Sequence, residues 1–120
     1  FERFEQQATP RDKEALATYT KQHAAWLEDY VLFQAVKAAH NGVAWTLWEP
    51  DIRERQSEAI RRYQRELAYE IARERFIQFQ FDRQWKALRN YARQQKVAFI
   101  GDVSIFVAHD SADVWANQDQ

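Results

Sequence analysis

The scarcity of glycine and proline constrains this sequence more than any other feature. The 120 residues contain two of each, and the stretch from Ser57 to Gln95 contains neither. Chains with many strands and tight turns need these residues, whereas the interiors of long helices exclude them. Apolar residues make up 46% of the chain, which is enough for a real core. The sequence therefore predicts a mostly α chain of one ordinary domain in size.

The first half of the chain carries signals for where helices begin and end. Thr9 followed by Pro10 is typical of a helix start, with Thr9 as the N-cap and Pro10 at the first helical position. The apolar stripe that follows predicts a break near Ala24. Asn41 and Gly42 both tolerate the left-handed backbone of a C-cap, so we expect the next helix to end there.

Two tryptophans stand out in the short segment between Val43 and Pro50. Trp45 and Trp48 lie three residues apart in a stretch that is too short and too aromatic for a solvated loop. We therefore expect both indoles to pack against the helices.

The apolar stripe of the long helical stretch changes register part of the way along. Apolar residues recur every three or four positions on both sides of a slip between Ile71 and Ile77. We expect two helices or a kink at this slip. The stripe beyond the slip is interpreted as core, and it consists of Ile77, Phe81, Trp85 and Leu88.

A different pattern begins at residue 97. Val97–Ile100 is a continuous apolar run, which is typical of a buried parallel strand with helices on both sides. One strand cannot form a sheet, so its partners would lie outside this chain. Asp102 follows directly, where α/β barrels place their chemistry, and this position favours a binding role for its carboxylate. An Asp behind Gly101 also fits a simple turn, and the residues leave both interpretations open.

The segment after this strand brings carboxylates, a hydroxyl and an indole close together. Asp110, Ser111, Asp113 and Trp115 suit sugar binding, because the polar groups bond ring hydroxyls and the indole offers an apolar face. The alternative is a helix start, with Asp110 or Ser111 as N-cap and Asp113 near the third helical position. His109 has no second ligand at metal-binding spacing, so we expect no metal site.

Charge and composition disfavour several classes of function. The net charge is −1, and although residues 61–96 carry +6, the rest carries −7, so nucleic-acid binding is the weakest interpretation. No apolar run is long enough for a membrane span or a signal peptide. Cysteine is absent, which excludes disulfides and suits a reducing, cytoplasmic location. Methionine is absent even at position 1, so we expect a fragment of a longer gene product.

Three stretches of the sequence resemble one enzyme family. The longest runs from Ile100 to Asn117 and reads IGDVSIFVAHDSADVWAN. The other two are Trp26–Phe33 and Phe79–Trp85, and all three follow the family's order and approximate spacing over nearly the whole chain. The sequence is similar to the amylomaltase, or disproportionating-enzyme, family of 4-α-glucanotransferases (glycoside hydrolase family 77). Ser104 stands where the family usually has proline, which affects the rigidity of the local turn.

The resemblance implies a fold larger than this chain, a TIM (β/α)8 barrel with helical insertions. Residues 1–96 would be a helical segment packed beside the barrel. Residues 97–120 would supply the third barrel strand and the substrate-side loop after it. Asp102 matches an acidic residue that supports the family's substrate pocket, and the candidate substrate-binding residues are Asp102, Asp110, Ser111 and Trp115.

The resemblance also implies an activity. Enzymes of the family transfer α-1,4-glucan segments between maltodextrin chains by retaining double displacement, without a metal or an organic cofactor. Their catalytic nucleophile and acid/base would lie beyond residue 120, so we expect no catalytic residue in this chain and no activity from the chain alone. The alternative is a free-standing helical interaction module without catalysis.

Overall fold

The computed structural model describes residues 1–95 and 110–118, and every regular element within these two ranges is helical. The elements are α1 (Glu2–Gln7), α2 (Pro10–Gln22), α3 (Ala24–Ala39), a 3₁₀ turn (Trp45–Leu47), α4 (Pro50–Arg53), α5 (Ser57–Glu66), α6 (Ala68–Gln94) and α7 (Ala112–Ala116). The prediction of a mostly α chain is confirmed. The strand predicted at Val97–Ile100 lies outside the described residues. Among the described helices, none is both long and apolar enough to cross a membrane.

The boundaries of α2 and α3 follow the local signals in the sequence. The Thr9 hydroxyl accepts a hydrogen bond from the Asp12 N–H at 3.1 Å, and the Asp12 carboxylate accepts one from the Thr9 N–H at 3.2 Å. His23 separates α2 from α3 at the predicted position. Asn41 and Gly42 have φ angles of 57° and 79°, and α3 ends before them as predicted.

Helix α3 lies at the centre of the core. Leu27, Val31 and Val36 have no exposed surface, and α2, α5, α6 and α7 all contact this helix. A helix that is apolar around most of its circumference is stable only where neighbours cover it on several sides. The burial of α3 therefore sets the arrangement of the helices around it.

The two indoles between α3 and α4 are buried, as predicted. Trp45 is 8% exposed and Trp48 is 2% exposed. The Trp48 Nε1–H donates to the Val43 carbonyl oxygen at 3.0 Å, which gives its polar atom a partner. The rings of Phe33 and Trp115 lie 5.5 and 5.6 Å from the Trp48 ring. These contacts join the 3₁₀ turn to both α3 and α7.

The second helical region divides into two helices, but the boundary lies earlier than predicted. It lies at Leu67, and α6 runs without interruption through the slip between Ile71 and Ile77, so the predicted position was wrong. The buried residues explain the difference. Ile71 and Phe79 are eight positions apart, a little over two turns, so one continuous helix keeps both on its inner side.

One apolar stripe of α6 is exposed, and its interpretation as core was wrong. We call it the outer stripe of α6, and it consists of Ile77, Phe81, Trp85 and Leu88. Its four residues are between 41% and 65% exposed in the structure. Phe79 faces inward instead, with its ring 5.6 Å from that of Tyr19 on α2. Periodicity identifies an apolar face of a helix, but it does not identify which face a neighbour covers.

A histidine–carboxylate pair fixes the end of α3. His40 Nδ1 lies 2.8 Å from the Val36 carbonyl oxygen, and His40 Nε2 lies 2.6 Å from Glu49 Oε2. The imidazole also stacks on Trp48 at 5.3 Å. Burial lowers the pKa of His40, but the hydrogen bonds to Glu49 and Val36 outweigh it, so the pKa is raised above its usual value. The hydrogen bond from His40 lowers the pKa of Glu49.

The pair predicts a pH dependence of the free energy of unfolding. The pKa of His40 is raised in the folded state, so His40 makes its full contribution to the free energy of unfolding below its unfolded pKa of 6.5. This contribution is lost as the pH rises through the folded pKa. The pKa of Glu49 is lowered, so its contribution is lost at the acidic end instead. We expect urea unfolding of the chain to show a decline in stability above pH 6.5 that Glu49→Gln largely removes.

The control for this prediction is Glu58→Gln on the exposed surface of α5. This change removes one carboxylate charge from the chain without touching the histidine, so the pH profile is expected to keep the slope of the unsubstituted chain. Identical slopes for Glu49→Gln and the unsubstituted chain would contradict the prediction.

Candidate functional site

The predicted site residues that the structure describes all lie at α7. Asp110 and Ser111 directly precede this helix, and Trp115 lies within it. Asp102 and His109 lie outside the described residues.

Asp110 ties the start of α7 to α3. Its Oδ2 forms an ion pair with the Lys37 ammonium, and its Oδ1 accepts a hydrogen bond from the Trp45 N–H at 3.3 Å. The Lys37 and Asp110 side chains are 27% and 34% exposed, so water screens the pair less than it would a fully exposed one. The carboxylate therefore holds three separate segments together.

Ser111 is the N-cap of α7. Its Oγ accepts a hydrogen bond from the Val114 N–H at 3.4 Å, which gives a partner to one of the free N–H groups at the helix start. The sequence also predicted a helix start here, as the alternative to sugar binding. That helix start is present, with Ser111 rather than Asp110 as the N-cap.

Trp115 faces the core and has no exposed surface. Its Nε1–H donates to the Ile52 carbonyl oxygen at 3.2 Å. Its ring lies 5.8 Å from that of Phe33, and the Arg55 guanidinium lies 4.6 Å from the ring centroid. These contacts are those of a core residue that fixes α7 against α3 and α4. The sugar-binding roles of Asp110, Ser111 and Trp115 stay predictions.

The opposite face of α7 borders a cleft of about 470 Å³ against the first half of α3. We call it the α3–α7 cleft. Its lining side chains include an aromatic platform, two carboxylates and an amide: Trp26, Tyr30, Asp29, Asp113 and Asn117. Ser111 also lines it, so two members of the sugar-binding set predicted from the sequence, Ser111 and Asp113, border this cleft.

The sequence reasoning did not assign Trp26, Asp29 or Asn117 to a site. Helical periodicity places Trp26 on the apolar stripe of the first helices, yet it is 43% exposed. The family resemblance of Trp26–Phe33 points to this region. The resemblance alone does not distinguish the residues of this stretch that line a cleft from those that are buried in the core.

Basic residues of α5 and α6 pair with carboxylates of the same chain. The pairs, at 2.9 to 3.0 Å, are Arg62–Asp51, Arg75–Glu28 and Lys86–Asp82. The hydrogen bond and the charge of Arg62 lower the pKa of Asp51. The basic stretch is thus partly neutralised within the fold, which favours a solvated helix surface over a nucleic-acid interface.

Comparison with known proteins gives consistent results. The profile of glycoside hydrolase family 77, described as 4-alpha-glucanotransferase, matches residues 1–120. A 4-alpha-glucanotransferase of Thermus thermophilus is 44% identical over 117 residues, which are 98% of this chain and 23% of that protein. One from Synechocystis sp. is 44% identical over 105 residues, which are 88% of this chain and 21% of that protein.

A solved structure is also similar. An amylomaltase from Streptococcus agalactiae, in complex with acarbose, superimposes with a TM-score of 0.86 at 29% sequence identity. The superposition covers 92% of this chain and 22% of that one. The chain thus spans less than a quarter of the length of the relatives described here.

The burial of Trp115 predicts a large loss of stability on substitution. Trp115→Phe removes the donor to the Ile52 carbonyl and leaves unfilled space between α7 and α3. We expect the free energy of unfolding to fall by about 2–4 kcal/mol in urea titrations.

Trp85→Phe is the matched control, because Trp85 is 41% exposed. It is expected to change stability by less than about 0.5 kcal/mol. Equal losses for the two substitutions would show that the indole of Trp115 is not an anchor of α7.

Proposed function

This chain belongs to the 4-alpha-glucanotransferase family, and we propose that it is part of an enzyme that transfers α-1,4-glucan segments between maltodextrin chains. The observation that carries the proposal is the family match along residues 1–120. Relatives at 44% identity with this name support it. A match of this extent favours the enzyme over a free-standing helical interaction module.

The mechanism that we propose for the complete enzyme is retaining double displacement. One carboxylate attacks the anomeric carbon and forms a glycosyl-enzyme intermediate, while a second protonates the leaving oxygen, the pair standing about 5–5.5 Å apart. A sugar hydroxyl then attacks the intermediate in place of water, which requires a pocket that excludes water. These carboxylates would belong to the remainder of the enzyme, and the transfer would need no metal or organic cofactor.

The contribution of this chain would be one wall of the substrate pocket. In this proposal residues 97–102 would form the third strand of a TIM barrel, and residues 1–96 would pack beside the barrel. The outer stripe of α6 supports this arrangement, because it offers an exposed apolar surface for burial against the barrel. The Asp110–Lys37 pair would hold the end of the loop that carries Asp102. We also propose a cytoplasmic location, which suits the absence of cysteine.

The proposed activity has a direct test. The full-length enzyme incubated with maltotriose is expected to release glucose and to form longer maltodextrins, which chromatography separates. The 120-residue chain alone is expected to form neither, because the catalytic pair would be absent. A full-length enzyme that leaves maltotriose unchanged would contradict the proposal, and so would activity of the isolated chain in preparations free of contaminating enzymes.

Asp102 provides a second test, at the level of one side chain. Asp102→Asn in the full-length enzyme keeps the shape of the side chain but removes its charge, so charge-assisted hydrogen bonds to sugar hydroxyls weaken. We expect kcat/KM on maltotriose to fall by roughly 5- to 150-fold with little change in the melting midpoint.

The control is Asp82→Asn, which removes the carboxylate of a partly exposed ion pair with Lys86 on α6. It is expected to leave both kcat/KM and the melting midpoint nearly unchanged. An Asp102→Asn enzyme with unchanged kinetics and a lowered melting midpoint would assign this residue to the turn instead.

A further inference from the structure

We propose that the α3–α7 cleft binds a segment of an α-glucan chain. Trp26 would be its stacking surface, and the carboxylates and amide on the two helices would bond the sugar hydroxyls. The residues that line the cleft indicate a neutral sugar as the ligand. The choice of an α-glucan among neutral sugars rests on the proposed function.

Trp26 is held in position by its neighbours and still open to solvent. Its Nε1–H donates to His23 Nδ1 at 3.2 Å, and its ring makes edge contacts with His23 and Tyr30 at 5.7 and 6.1 Å. Despite these contacts, 43% of Trp26 is exposed. An aromatic ring that is fixed before binding loses little conformational freedom when the apolar face of a sugar packs on it.

Polar groups face the cleft from both helices. Asp113 and Asn117 lie one helical turn apart on α7 and its C-cap. Asn117 Nδ2 donates to the Asp113 carbonyl oxygen at 2.9 Å, which orients the amide. On the α3 side, Arg55 donates to Asp29 Oδ1 at 3.0 Å and fixes that carboxylate. Carboxylate and amide oxygens arranged in this way accept hydrogen bonds from hydroxyl groups.

The charges around the cleft argue against other classes of ligand. Its charged lining side chains are Asp29 and Asp113, and both are acidic, which disfavours phosphates and other anions. Within residues 1–95 and 110–118, no group of three or more His, Cys, Asp or Glu side chains is arranged to hold a metal ion. A neutral ligand with many hydroxyls satisfies both the acidic groups and the exposed indole.

The size of the cleft fits a short stretch of sugar chain. Its volume of about 470 Å³ falls within the range of about 300–1,000 Å³ typical of small-molecule sites. A glucan repeats the same ring and hydroxyls along its length, so any part of a long chain offers the same contacts. A chain held at one point stays at a high local concentration near the protein, which favours long glucans over short ones.

Native electrophoresis of the full-length enzyme through gels that contain amylose tests this site, run in the cold to limit turnover. Retardation as a function of amylose concentration gives an apparent Kd. We expect Trp26→Ala to raise this Kd by about 3- to 10-fold, while Trp26→Phe, which keeps an aromatic ring, retains most of the binding. Tyr69→Ala is the control, since Tyr69 is a 44% exposed aromatic residue of α6 that lies outside both the cleft and the outer stripe, and this variant is expected to bind like the wild type.

Asp113→Asn tests the α7 side without altering the indole. It removes the charge of an exposed carboxylate and is expected to weaken retardation with no change in the melting midpoint. Trp26→Ala and Asp113→Asn enzymes that melt and bind like the wild type would overturn the proposal. If Trp26→Ala lowers the melting midpoint, Trp26→Phe and Asp113→Asn decide the question.

The assay separates the failure of this site from the failure of the proposed function. An enzyme that disproportionates maltotriose but whose cleft variants bind amylose normally would overturn the cleft alone. An enzyme that leaves maltotriose unchanged, yet loses amylose binding in the cleft variants, would overturn the transferase proposal and support the sugar site.

Discussion

Helix α3 carries apolar side chains around most of its circumference, and six positions from Leu27 to Val36 are buried at once. Leu27, Val31 and Val36 are fully buried, so neighbouring helices close on α3 from several sides. Helix α7 has five residues and is far too short to be stable by itself. It is held on α3 through the Trp115 indole and the ion pair of Asp110. The position of the candidate site is therefore a consequence of the core.

Helix ends were predictable from the sequence because they depend on a few adjacent residues. The Thr9–Pro10 start and the Asn41–Gly42 end act through local hydrogen bonds and backbone conformation, and both are where the sequence placed them. Burial depends on residues far away in the sequence. The periodicity of α6 revealed an apolar face, but only the packing of α2 and α3 decides that Phe79 faces inward while the outer stripe stays exposed.

The candidate site was only partly predictable for the same reason. Carboxylates, a hydroxyl and an indole are close together in the sequence at residues 110–115. A single turn of helix nevertheless directs neighbouring side chains to opposite sides. Trp115 faces the core, whereas Asp113 faces the α3–α7 cleft. The aromatic platform of the cleft comes from Trp26, more than eighty positions earlier in the chain. Only the packing of α7 on α3 brings these side chains into one place.

Arg55 connects the core side of α7 to the cleft. Its guanidinium lies 4.6 Å from the centroid of the Trp115 ring, and Nη2 donates to Asp29 Oδ1 at 3.0 Å. A planar guanidinium performs both tasks at once, which the compact ammonium of a lysine does not. The backbone at Arg55 has a φ of 58°, a conformation that costs a non-glycine residue roughly 1–2 kcal/mol.

This local cost persists only where surrounding contacts offset it. The N–H groups of Arg55 and Gln56 donate to the Ile52 and Asp51 carbonyl oxygens at 3.1 and 2.9 Å, which stabilises this turn at the end of α4. The stack on Trp115 and the ion pair with Asp29 add to these backbone contacts. Arg55 therefore lies between the Trp115 ring in the core and the Asp29 carboxylate that lines the cleft. One side chain thus contacts both the buried indole that anchors α7 and a carboxylate of the cleft, so the core and the candidate site share a residue.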